Sequence, residues 1–307
     1  MKKFRLFYSS GASNFGDNLN VIIFEKFIGY ELIATSRLFS EGLGIGSLLE
    51  TFLQPDNTSV TQIKCNIEKS LFQPVKVFGS GFIAPPGNKG YLENFRRKLI
   101  FLAVRGKLSK ERIEKIEKKT FENLPLGDPG LLLPFLLDYK KINKKYKYGI
   151  IPHYVDINEP AIHKLVDVLP DSIFIDVTKD TMSVAKLIAE CEIVISSAMH
   201  GLIAADSMNI PNVWVKLSNR IEGENYKFDD YYSAYNIKRL PVDLNSCELN
   251  EKGIRDYIDH YSINPDKVQS IQESLIKAFS QEINSYTETS LFSGKPAKPD
   301  FPEKHHS

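Results

Sequence analysis

The stretch Cys191–Leu217, CEIVISSAMHGLIAADSMNIPNVWVKL, decides the fold. Its apolar run Ile193–Ile195 ends in Ser196 and Ser197, then His200 and Gly201, then a helical pattern of small residues. A second apolar run, Val213 to Val215, follows Pro211. The pattern reads as strand, sharp turn, helix, strand, the repeating unit of a parallel sheet. It sets His200 at the carboxyl edge of that sheet, where open α/β folds bind ligands. Imidazole changes charge near neutral pH, so the position suits proton transfer. A helix-capping histidine, or one bonded to a nearby carbonyl, fits the same pattern.

The same alternation extends outward in both directions. Tyr148–Ile151 reads as a strand with the edge Pro152-His153-Tyr154. A helix over 159–168, a strand over 173–177 and a helix over 182–189 connect it to Cys191. Upstream, a strand over 4–9 runs into the loop Gly11–Asn18 and a helix over 19–28, capped by Asp17 or Ser13. Val75–Gly81 is a strand entering glycines, and Leu99–Val104 reads as a buried strand ending at Arg105. A charged helix over 107–119 follows, then the turn Gly127–Gly130 and the apolar Leu131–Leu137. The lysine-rich run Tyr139–Lys147 reads as a solvated linker. Two Rossmann-like α/β domains facing a central cleft are expected, over 1–140 and 148–285, with an amphipathic helix over 270–283 closing the fold. Residues 286–307, including the prolines from Ser293 onward and His305 and His306, read as a disordered tail that carries no function.

Bulk properties narrow the function. The 307 residues are 42% hydrophobic and 25% charged, ordinary for a globular protein of about two domains. With 39 basic against 38 acidic residues, the chain lacks the basic excess of a nucleic-acid binder. Cys65, Cys191 and Cys247 stand far apart, without metal-ligand spacing, which fits a reduced, cytoplasmic compartment. Met1-Lys2-Lys3 begins like a signal sequence, but the apolar segment after it is too short for one. No uncharged apolar run approaches the ~18 residues of a bilayer span.

The candidate site residues share one location, just after a strand. On the N-terminal side they are Asn14, Asp17, Gly79, Ser80, Gly81 and Arg105; on the C-terminal side, His153, Ser196, Ser197, His200, Lys216 and Arg220. Each has a structural alternative: the glycines permit tight turns, Arg105 pairs with a helix carboxylate, His153 bonds its own loop. Together they offer cations, amides and hydroxyls for an anion, and histidine and aspartate for proton movement. Ser196-Ser197 lacks the preceding glycine of a nucleophile elbow. No zinc-spaced cluster and no Walker-type loop is present, and no metal is expected. Transfer chemistry on an anionic donor survives this elimination.

The chain resembles the polysaccharide pyruvyltransferase family, in the branch that places ketal pyruvate on exopolysaccharide sugars. The resemblance rests on Asn14-Phe-Gly-Asp17, Gly79-Ser-Gly81, Val104-Arg105 leading to Ser109, Gly127-Asp-Pro-Gly-Leu-Leu-Leu133, Gly149-Ile-Ile-Pro-His153 and Ser196-Ser-Ala-Met-His-Gly201, in the family's order. Asn225–Tyr232 adds to it. It implies a glycosyltransferase-B-like pair of domains, with the acceptor on the N-terminal side and phosphoenolpyruvate on the C-terminal side. It implies a phosphoenolpyruvate donor, no further cofactor, and a glycan acceptor, free or lipid-linked, of a bacterial capsule or exopolysaccharide. His200 then acts as acid or base, with Asp17 or His153 taking a proton from the sugar. Ala198 departs from the family, where many members carry an arginine. Lys216, Arg220, Lys227 and Arg105 are the cations available instead. A lipid-linked acceptor would place the protein peripherally at the inner membrane face, with Lys140–Lys147 near anionic lipid. Two other readings share the scaffold: a nucleotide-sugar glycosyltransferase using Glu222 and Glu224, and a catalytically silent glycan-binding subunit. Acceptor sugar and oligomeric state are not legible.

Overall fold

Two five-stranded sheets, each with all its pairings parallel, organise the computed structural model, which describes residues 2–11, 14–87, 90–223, 225–246 and 249–289. The first half runs β1 (Lys3–Phe7), α1 (Phe15–Ile28), β2 (Glu31–Ala34), β3 (Gly42–Leu43), β4 (Leu53–Gln54), α2 (Ser59–Leu71), β5 (Val75–Phe78), β6 (Leu92–Phe95), β7 (Leu99–Ala103) and α3 (Lys107–Glu117). The second runs β8 (Tyr146–Ile151), α4 (Pro160–Val168), β9 (Ser172–Phe174), α5 (Thr181–Ala189), β10 (Cys191–Ser196), α6 (Met199–Ser207), β11 (Asn212–Lys216), α7 (Tyr226–Ser233), β12 (Val242–Asp243), α8 (Glu251–Tyr261) and α9 (Pro265–Thr289). β4 and β6 form a small antiparallel ribbon.

The strand orders are β2-β1-β3-β5-β7 and β12-β11-β10-β8-β9. Read from its own first strand, each sheet follows the same doubly wound plan, in which the chain reverses direction between its first and third strands. Those reversals fall between β1 and β3 and between β8 and β10. Strand connections leave in opposite directions there, so a crevice opens at the carboxyl ends.

Local sequence accounts for the elements around the reversals. β10 is rich in β-branched residues and buried along its carboxyl half. Every residue of α6 except His200 is buried, which its small side chains allow between two packed layers. One apolar core joins the halves: Leu19 and Ile23 of α1, Leu131–Leu133 of a 3-10 segment, and Leu202 and Ile203 of α6.

Several expectations need correction. α1 starts at Phe15, and Asn14 caps it by accepting from the Gly16 amide, in place of Asp17. Ser13, Cys247 and the tail beyond Thr289 lie outside the described residues, whereas 286–289 continue α9. β7 is an edge strand with Ile100 exposed, because its neighbour on one side only is β5. The lysine run is built into the second half. Lys144 Nζ donates to the Ala189 and Cys191 carbonyls at 3.0 and 2.6 Å, and Lys145 and Lys147 pair with Glu190 and Glu251 at 2.7 and 2.6 Å. Lys144, Lys145 and Lys147 thus bond to the second half instead of standing in a free linker. α9 starts before the expected helix and packs on the first half, Phe279 meeting Phe24 and Phe78 at centroid distances of 5.1 and 4.9 Å.

Candidate active site

The loops that follow β1, β3, β8 and β10, the strands flanking both reversals, line one cavity of about 730 Å³. Asn14 and Asp17 come from the first, Gly46–Leu48 from the second, His153 and Tyr154 from the third, and Ala198–Gly201 from the fourth. Backbone joins the walls, since the Phe15 amide donates to the Val177 carbonyl at 2.8 Å.

His200 stands in the first turn of α6. Its ring lies against Gly16, where a Cβ would sit 2.0 Å from Nδ1, so only glycine leaves room for the imidazole. On the other side Nε2 is 3.8 Å from Oδ2 of Asp128, a fully buried residue whose Oδ1 accepts from the Gly130 amide at 2.9 Å. Both His200 Nε2 and Asp128 Oδ2 are buried without a hydrogen-bond partner. A buried orphan pair is rare and costly, and a shift of under 1 Å would close it into a charge-assisted bond that fixes the ring's tautomer.

The groups around His200 perturb one another. Burial raises the Asp17 carboxyl above its ordinary range, an effect opposed by His200, by a bond from Ser9 and by Lys227. Burial, then Lys227 and His200, push His153 down to about 4, so it is neutral at pH 7. Its backbone amide donates to Ser197 Oγ at 2.9 Å, and its Nδ1 accepts from the Val155 amide at 3.4 Å. Lys227, on α7, is lowered to about 8 by burial and by nearby Arg105, against the pull of Glu222 and Asp17. It is 9% exposed, lines the cavity, and has no ion pair among the described residues. Arg220 also reaches the cavity, but its guanidinium is held by Asp156 at 3.1 Å and by Glu159. The start of α6 adds a positive end, because Ala198 offers no side-chain cap to its first amides.

Of the sequence candidates, Asn14, Asp17, His153, His200, Arg220 and Lys227 therefore meet on one cavity. The others lie off its wall, in tight turns, beneath the loops or facing a separate cavity. Gly79 has φ +82°, and a Cβ there would strike Pro129 at 2.4 Å, so it serves the turn. Ser80 Oγ donates to the Gly46 carbonyl at 2.8 Å and accepts from the Leu48 amide, and the Gly81 amide donates to the Gly46 carbonyl at 3.1 Å. These residues hold the β3 loop from behind. Arg105 is fully buried: Nε bonds Asp230 at 3.0 Å, another nitrogen bonds Ser47 at 2.6 Å, and the third bonds the Phe82 carbonyl. It is an internal clamp with its donors already engaged. Ser196 Oγ donates to the Ile151 carbonyl and accepts from the Ala198 amide, and Ser197 positions His153. Lys216 lines a separate cavity of about 60 Å³.

The sequence reading gave no role to Asp128, quoted within a turn and within a motif of the resemblance, and passed over the wall residues Gly46–Leu48 and Glu50. Glu50 is buried, accepts from the Ile83 and Ala84 amides, and is raised by burial. Gly42-Leu-Gly-Ile-Gly46 was the available signal, but its strand is two residues long and leaves no apolar run. Glu224 lies outside the described residues. No cluster of three or more His, Cys, Asp or Glu at metal-binding geometry occurs among the described residues. No helix among them is long and apolar enough to cross a membrane.

Fold and cleft together define a doubly wound α/β protein with a cavity at its sheet reversals lined by His200, Asp17, His153 and Lys227. The family profile described as "Polysaccharide pyruvyl transferase" matches residues 67–219. "Uncharacterized protein L143" of Acanthamoeba polyphaga mimivirus is 31% identical over 216 residues, spanning 69% of this chain and 70% of that protein. "Succinoglycan biosynthesis protein ExoV" of Rhizobium meliloti (strain 1021) is 25% identical over 259 residues, 81% of this chain and 71% of that protein. The chain belongs to the polysaccharide pyruvyl transferase family. Among solved structures, the S. aureus MnaA–UDP co-structure aligns over 98% of this chain and 100% of that one, with a TM-score of 0.46 and 11% identity.

Proposed function

We propose that this protein transfers the pyruvyl group of phosphoenolpyruvate to two hydroxyls of one sugar in a cell-surface polysaccharide or its lipid-linked precursor. The product is a cyclic pyruvate ketal, and the enzyme works at the cytoplasmic side as a glycosyltransferase-B-like pair of Rossmann units. One observation carries the reading: Lys227, with no ion pair among the described residues, and the uncapped start of α6 share a cavity with His200. An anion is held there beside a proton donor. The relative named for succinoglycan biosynthesis supports a polysaccharide acceptor.

The donor's chemistry assigns the roles. His200 delivers a proton to the terminal methylene of the enol, which leaves an oxocarbenium-like C2. A sugar hydroxyl attacks C2 as Asp17, or neutral His153 across the cleft, draws off its proton. The bond from C2 to the phosphate oxygen breaks, a second hydroxyl closes the ring, and its proton leaves with phosphate. Asp128 orients His200. Lys227 and the α6 amides hold carboxylate or phosphate, taking the place of the arginine absent at Ala198.

The test is an acceptor screen with phosphoenolpyruvate, scored by phosphate release and by the mass gain of a pyruvate ketal. Titrations with phosphoenolpyruvate and with UDP- and GDP-sugars accompany it. Ketal formation with saturable phosphoenolpyruvate binding is the expected result. Binding of a nucleotide sugar with no affinity for phosphoenolpyruvate would overturn it.

A further inference from the structure

Helix α2 carries an apolar stripe with nothing packed on it among the described residues. Val60, Ile63, Ile67 and Leu71 recur at three- and four-residue spacing on one face, and are 61%, 59%, 47% and 75% exposed. Only Cys65 and Glu68 of the helix's 13 residues are buried. Phe39, also exposed, extends the patch past the helix end through Phe72, at a centroid distance of 5.9 Å. Isolated exposed aliphatics are common, but a contiguous line of them marks a surface that something covers.

Local charge says what covers it. The chain as a whole is nearly neutral, at +1. Beside the stripe, however, Lys64, Lys69, Arg37 and Arg96 outnumber Glu68 and Asp56. Glu68 is held by Arg37 at 2.7 Å and Arg96 at 2.5 Å, and Asp56 is bound to the Thr58 amide and hydroxyl. Arg97 is buried beneath Phe72, bonded to backbone carbonyls, and adds no charge to the surface. Between the aliphatics, Thr61, Gln62, Asn66 and Ser70 are uncharged, and Lys64, Glu68 and Lys69 are the charged residues. A second copy of the same basic face would repel it. The helix also lacks the tryptophan, tyrosine and arginine anchors that fill pockets on protein partners. A continuous aliphatic line with basic flanks suits the acyl and headgroup boundary of an anionic bilayer.

We propose that α2 is a membrane-surface helix, its Val60–Leu71 stripe entering the headgroup boundary while Lys64 and Lys69 pair with lipid phosphates. The inference does not depend on the pyruvyl reading, and its test uses no phosphoenolpyruvate. The full chain is floated with vesicles of phosphatidylcholine, and with vesicles of phosphatidylcholine doped with phosphatidylglycerol. Wild type should float with the doped vesicles and much less with the undoped ones. Ile63→Ser/Ile67→Ser should lower the partition coefficient by at least about tenfold without changing the melting temperature, since both side chains are exposed in the folded protein. Lys64→Glu/Lys69→Glu should remove the preference for the anionic vesicles. Wild type left in solution with both vesicle types overturns the proposal, as does undiminished flotation of the double serine variant. Light scattering that finds a wild-type dimer and a monomeric serine variant gives the face to a second copy, and equally overturns it.

Discussion

The Arg105 cluster and the His200 floor lie within one protein and treat buried polar atoms in opposite ways. Around Arg105 the bonds are complete: Asp230 takes its Nε, the Ser109 amide at 2.8 Å and the Ser109 hydroxyl at 2.6 Å, while Ser47 and the Phe82 carbonyl take the rest. On the floor, His200 Nε2 and Asp128 Oδ2 are buried 3.8 Å apart with no partner, and Lys227 has no ion pair among the described residues. Folding selects against orphaned buried polar atoms, so a cluster of them marks where a ligand completes the bonding. Burial of a cation is uninformative by itself. Whether its donors are already used separates architecture from site.

The largest effect that tests this contrast is on turnover. His200→Ala should lower kcat by about two to four orders of magnitude, the usual range for a general acid or base, with the melting temperature unchanged. Asp128→Asn should lower kcat in the same direction by less, with phosphoenolpyruvate affinity retained, because it positions the ring and does not hold the donor. Phosphate release in the presence of acceptor measures both. A His200→Ala variant that loses stability and keeps its turnover would place His200 with the architecture and break the contrast.

Arg105→Met tests the other side. Removing one partner of a buried, bonded pair leaves Asp230 an unpaired buried charge and should cost about 3–5 kcal/mol of stability. Urea unfolding reads this directly. Phosphoenolpyruvate affinity of the fraction that stays folded should be unchanged. A large affinity loss in a stable Arg105→Met protein would return Arg105 to the anion site.

His153 gives a smaller effect, visible in acid. Its folded pKa of about 4 lies below the ordinary 6.5, so the unfolded chain takes the proton first. The stability this represents is complete above pH 6.5 and is lost as pH falls toward 4, by about 3 kcal/mol at most. Asn supplies an acceptor in place of Nδ1, so His153→Asn should unfold with a flatter acid limb while remaining folded at pH 7. An acid limb identical to wild type would mean that His153 is not the group that titrates.

Much of the second half was legible from its residues: β8, α4, α5, β10, α6 and β11 all lie where apolar runs and turn residues put them. The first half hid β2, β3 and α2, because two- to four-residue strands leave no period and α2 turns its aliphatics outward. Every candidate but Lys227, named as a cation to replace the arginine absent at Ala198, was chosen for following a strand, and that criterion is blind to strand order. The loops after β5, β7 and β11 met it as well as those after β1 and β10, yet Gly79, Ser80, Gly81, Arg105 and Lys216 stand off the cavity while Arg220, beyond β11, reaches it. Strand order is set by long-range packing, so no local pattern separates Arg105 from Lys227. Asp128 escaped for a related reason, as its partner lies seventy-two positions further along the chain, on α6.

Lys227 carries the finest discrimination between the two regions, in two measurements that move oppositely. Burial lowers its pKa to about 8 from the ordinary 10.5, so folding carries the cost of a desolvated charge below pH 8 and is relieved of it as pH rises from about 8 to 10.5. Lys227→Met should therefore hold or raise stability at pH 7, the reverse of Arg105→Met. The same charge is what a bound anion would meet. Phosphoenolpyruvate affinity of the wild type, by calorimetric titration, should fall as pH passes upward through about 8, by up to about tenfold per pH unit for a single linked proton. Lys227→Met should bind phosphoenolpyruvate about ten- to a hundredfold more weakly at pH 7, the worth of one bond to a charged group, and its affinity should not change above pH 8. A variant that is less stable and binds as wild type does would show Lys227 to be a second Arg105, and would leave the cavity without its cation.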